Sequence, residues 1–122
     1  DESESGFGKP RPTYSGLHDF SLPHNQRKLD VVDSLLELSA DSGIPMVHLS
    51  VAFTLAHPAI TSTIIGPRTM AQLVDQLPAG DLDLPDDVLD RIDRIVAPGT
   101  DVFIGDAGYL PPELVDKRRR RR

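Results

Sequence analysis

Residues 60–77 read ITSTIIGPRTMAQLVDQL, and the fold turns on how they are interpreted. Thr61, Thr63, Ile64 and Ile65 are β-branched and predict a short, buried, parallel-type strand over about 61–65. Gly66-Pro67 breaks that run. From Thr69 the pattern becomes helical, with Met70, Leu73, Val74 and Leu77 at three- and four-residue spacing. A strand entering a helix through a Gly turn suits an anion, because first-turn N–H groups lack intrahelical partners and the helix dipole adds partial positive charge. Arg68 supplies a planar fork of donors that fits a phosphate. The same residues also describe an ordinary strand–turn–helix connection with a solvent-facing Arg, the commoner case for so short a motif.

The rest of the chain limits the choices. Its 122 residues suit one modest domain. With 39% hydrophobic residues, 5% aromatics and no Trp, a core is built from Leu, Ile, Val and Ala. The absence of Cys excludes disulfides, thiolate metal sites and a Cys nucleophile, and fits a cytoplasmic protein. No apolar run reaches membrane-spanning length, and no signal-peptide pattern opens the sequence. The chain begins at Asp1 rather than Met, which suggests a fragment. Six of the basic residues are gathered in Lys117–Arg122. Removing those six charges from the net −6 leaves −12 on the remainder, which argues against broad nucleic-acid binding outside the tail.

Before the central stretch, residues 1–28 carry scattered Gly, Pro and Ser without periodicity and read as a loop or connection. Lys9, Arg11 and Tyr14 lie there with no motif that gives them chemistry. Asn25 is the expected N-cap of a helix over 26–42, with Leu29, Val32, Leu35, Leu36 and Ala40 along its apolar face. Gly43 supplies the left-handed stop. Pro45 opens a second helix, Met46 to His57, apolar on most sides and therefore packed on more than one surface; Pro58 ends it. His48 and His57 read as structural, since neither has a partner at metal-ligand spacing.

After the central stretch, Pro78 to Asp83 read as a loop. Leu84-Pro85-Asp86-Asp87 then start a helix with Val88, Leu89, Ile92, Ile95 and Val96 on its apolar stripe, closed by Pro98-Gly99. Asp86, Asp87, Asp90 and Asp93 alternate with Arg91 and Arg94, the pattern of a solvated face rather than a metal site. Residues 100–122 read as an extended tail with a basic end. The order is helix, helix, strand, helix, helix, tail. A single β-branched strand needs neighbours on both sides, so the order fits the last part of a parallel α/β protein better than a small helical bundle.

Taken together, NQRKLDVVDSLLELSADSGI, HLSVAFTLAHPAITSTIIGPRTMAQL and LPDDVLDRIDRIVAPG resemble the C-terminal third of the aldo/keto reductase family, and GDAGYLPPELVDKRRR resembles the tails of bacterial members. The resemblance implies the end of a (β/α)8 TIM barrel, with residues 29–99 as its last βα units and 61–65 as its eighth strand. It implies NADPH as cofactor and a small carbonyl compound as substrate. By similarity Arg68 and Thr69 hold the 2′-phosphate, Gly66 and Pro67 shape the backbone, and Gln72 contacts the adenosine. Gln76 stands where the family often has Asn. The family's catalytic Asp, Tyr, Lys and His lie upstream of the matching stretch, so no catalytic residue and no metal ligand is expected here. A complete barrel needs roughly 250 residues. The chain is therefore expected to be inactive alone. Two other readings stay open: a truncated, non-catalytic remnant, and a helical module whose Arg tail contacts nucleic acid. The sequence leaves the oligomeric state undetermined.

Overall fold

Helix α1, Pro23–Ser42, stops where its sequence requires: Gly43 takes φ 68° and returns its N–H to the Ala40 carbonyl. That left-handed conformation costs a residue bearing a Cβ about 1 kcal/mol or more. The computed structural model describes residues 19–103 together with Gly105 and Arg118. Expectations for Lys9, Arg11, Tyr14 and the basic run other than Arg118 fall outside the described residues.

The start of α1 differs from expectation. The N-cap residue is Leu22, and Pro23 occupies the opening turn, where its fixed φ and missing N–H cost nothing. Asn25 is instead buried within the helix. Its Nδ2 donates to the Asp19 carbonyl at 2.9 Å, and its Oδ1 accepts from Lys28 Nζ at 2.9 Å. The buried face also differs: Leu38 and Ser39 are buried, while Leu29, Val32, Leu36 and Ala40 are exposed. α1 carries apolar residues on two sides, and among the described residues the side containing Leu35 and Leu38 packs into the core.

Helix α2, Met46–Leu55, packs against α1, helix α3 (Met70–Gln76) and the 3-10 helix Leu77–Asp81 that continues α3. Packing on several surfaces is what its nearly all-round apolar sequence requires. It ends at Leu55, short of His57. Pro78 to Asp83, expected as a loop, contributes most of the 3-10 turn, and Ala79 within it is fully buried. Helix α4, Asp86–Ile95, opens after Pro85 with Asp86 and Asp87 in its first turn, where the dipole favours acids. Leu38, Leu49, Val88 and Ile92 form the core, flanked by Leu35, Ile44, Met46, Phe53, Leu84 and Ile95. Each fully buried side chain of this size contributes about 1.5–3 kcal/mol. Arg91 Nη2 meets Asp41 Oδ2 at 2.6 Å across α4 and α1, an exposed pair worth about 0–1 kcal/mol.

The strand expected over 61–65 does not form: the described residues contain no strand, and 60–67 have no regular secondary structure. A strand is defined by its ladder, and no described segment lies beside this one to accept its backbone hydrogen bonds. The strand period survives in the exposure pattern. Thr63, Ile65 and Pro67 are half-buried, whereas Ser62, Ile64 and Gly66 face outward, Ile64 with 98% of its surface exposed.

Candidate functional site

The turn between this segment and α3 is fixed by its own polar groups. Thr69 adopts extended backbone angles as the N-cap of α3, and its Oγ1 accepts the Gln72 N–H at 3.2 Å. The Gln72 side chain reaches back, and its Oε1 accepts the Arg68 N–H at 2.8 Å. The pair resembles a capping box, with the returning bond made one residue earlier than usual. Arg68, Thr69 and Gln72 are thus tied into one unit, with Gly66 and Pro67 immediately before it.

Sequence reasoning treated Gln72 as a ligand contact and missed its bond to the turn. The signal was present, because Thr69-Met70-Ala71-Gln72 has the spacing of a helix N-terminus signature. Gln76 is half-buried at the last position of α3 and makes no hydrogen bond to the turn.

Several donors are left over. The Arg68 guanidinium is exposed and has no hydrogen bond or ion pair among the described residues. The Thr69 hydroxyl accepts through a lone pair and keeps its own proton free to donate. The N–H groups of Met70 and Ala71 belong to the first turn and have no intrahelical acceptor. A Cβ placed on Gly66 would meet nothing within 4 Å, so nothing described in the protein demands glycine at that position.

The surroundings hold α3 in place. His48 Nε2, on α2, donates to the Asp75 carbonyl at 2.7 Å, satisfying a carbonyl in the last turn of α3. His57, read as structural, accepts the Ala59 N–H on Nδ1 at 3.1 Å. Thr63 Oγ1 is buried without a hydrogen-bond partner among the described residues. Among the described residues no three His, Asp or Glu side chains approach as a metal site, and no helix is long and apolar enough to cross a membrane.

Comparison with known proteins adds to this geometry. Residues 3–97 match the model of the aldo/keto reductase family. The uncharacterized oxidoreductase YrpG of Bacillus subtilis (strain 168) is 30% identical over 80 residues, which cover 66% of this chain and 22% of that protein. The chain therefore spans about a fifth of the relative it matches. No solved structure matches.

Proposed function

This chain belongs to the aldo/keto reductase family, and from that premise we propose that it is the C-terminal, cofactor-anchoring portion of an NADPH-dependent oxidoreductase that reduces aldehydes and ketones to alcohols. The family implies a (β/α)8 barrel, in which a phosphate site commonly follows strands 7 and 8 at a helix N-terminus. By the family's order residues 61–65 correspond to its last strand, and Gly66–Thr69 to the turn that follows it.

The observation that carries the reading is the Arg68 guanidinium, exposed and without a hydrogen bond or ion pair among the described residues, beside a Thr-capped helix start. Arg68 and the free Thr69 proton suit the 2′-phosphate. Gly66 and Pro67 leave the backbone approachable. Gln72 contributes through the turn it fixes, with its amide NH2 still able to donate, and Gln76 lies one helical turn further on. When bound, the nicotinamide supplies the hydride that reduces the carbonyl carbon. The residues of this chain hold the remote end, so their share of the chemistry is orientation.

The test is to incubate the full-length protein with NADPH or NADH and a panel of aldehydes and ketones. Consumption of NADPH in preference to NADH is expected. Consumption of neither with any carbonyl would overturn the proposal.

A further inference from the structure

We propose that the hollow between α1 and α4 binds a small zwitterion with an aliphatic side chain, a free amino acid of the leucine type. Ser34, Glu37 and Leu38 line it from α1, at the spacing that sets side chains on one face of a helix. Arg91, Arg94 and Ile95 line it from α4 at the same spacing. Its volume is about 300 Å³, the lower end of the range for small-molecule sites. None of residues 66–76 takes part, so the site stands independently of the cofactor reading.

The charges around the hollow select the ligand. Arg91 Nη2 is committed to Asp41 Oδ2 at 2.6 Å, which fixes the guanidinium and offsets its charge while leaving it further N–H donors. Glu37 and Arg94 are exposed, and neither has a hydrogen bond or ion pair among the described residues, so they do not pair with each other. One helix thus offers an open carboxylate and the other an open guanidinium. Arg91 and Arg94 are balanced by Glu37 and Asp41, so the hollow gives no net attraction to a simple anion such as phosphate. A molecule bearing one charge of each sign fits. Its carboxylate meets Arg94 and the spare N–H groups of Arg91, and its ammonium meets Glu37 and the Ser34 hydroxyl oxygen. Ser34 already donates its proton to the Asp30 carbonyl at 2.9 Å, so it keeps only lone pairs, which suit an ammonium donor. The aliphatic side chain covers Leu38 and Ile95, the apolar part of the lining, and takes that surface out of water.

Saturation-transfer NMR on the full-length protein with L-leucine reads the site from the ligand's methyl signals. Saturable binding with a dissociation constant on the order of 1 mM is expected for so small a ligand in an open hollow. N-acetyl-leucine lacks the ammonium and leucinamide lacks the carboxylate. Each should bind about five- to tenfold more weakly than leucine, the size of one partly screened charged contact. Arg94→Gln should weaken leucine by the same factor and leave leucinamide unchanged. Glu37→Gln should weaken leucine and leave N-acetyl-leucine unchanged. Absence of saturable leucine binding, N-acetyl-leucine or leucinamide binding as tightly as leucine, or leucine affinity unmoved by both variants would overturn the proposal. Should a variant fail to fold, the three ligands compared on the parent protein decide the matter.

Discussion

Replacing Arg68 with Ala tests the cofactor assignment most sharply, because the structure separates the side chain's role from the backbone's. The Arg68 N–H is bound by Gln72 Oε1 at 2.8 Å, and any residue except proline keeps that bond. The guanidinium makes no hydrogen bond or ion pair with a described residue, so truncation leaves no described polar group unpaired and α3 should keep its cap. What is lost is one charge-assisted contact to a phosphate, worth about 1.5–3 kcal/mol. That corresponds to roughly 10- to 150-fold weaker NADPH binding. Exposure and salt screening favour the lower end. NADH, which lacks the 2′-phosphate, should lose little. Calorimetric or fluorescence titration of both cofactors against the full-length parent and variant measures the difference directly. Equal losses for NADPH and NADH would refute the assignment of Arg68 to the 2′-phosphate. A matching fall in thermal midpoint would show that the side chain supports the fold instead.

Thr69→Ala should remove the α3 cap at a cost of about 0.5–2 kcal/mol and weaken NADPH more than NADH, while Thr69→Ser restores both the cap and NADPH binding; denaturant midpoints and the same titrations check this. Leu38→Ala empties the centre of the core and should lower unfolding free energy by about 2–5 kcal/mol in chemical denaturation, and a loss under 1 kcal/mol would show that Leu38 is not the core residue its burial indicates. In the chain as described, Thr63→Val removes a buried hydroxyl without a partner, so it should be neutral or stabilising by up to about 1 kcal/mol in denaturant titration of residues 1–122. The Asp19 carboxyl is held below its ordinary value of 3.8 by Ser21, so its contribution is present above that value and is lost as pH falls through the lowered one. Ser21→Ala should therefore lower stability slightly above about pH 4 and flatten the acid limb, so that the parent and variant curves converge as pH falls.

Punctuation and patterning were legible in the sequence because they are local. Gly43 fixes the end of α1 through its φ of 68°, and Pro85-Asp86-Asp87 fixes the start of α4; both follow from backbone sterics and the helix dipole. The motif run from Gly66 to Gln72 also pointed to its family, since several short patterns in one order are far more specific than any of them alone. Tertiary structure decided what the sequence left ambiguous. α1 has two apolar sides, and burial at Leu38 rather than at Leu29, Val32 and Leu36 depends on where α2 and α4 pack. Gln72 could serve a ligand or the turn, and only the 2.8 Å bond to the Arg68 N–H shows that its carbonyl serves the turn. The stretch Ile60–Leu77 shows the same division. β-Branched residues specify an extended segment, and alternating exposure from Thr63 to Pro67 records it. Whether that segment becomes a strand is decided by the backbone beside it, because the hydrogen bonds of a ladder are non-local.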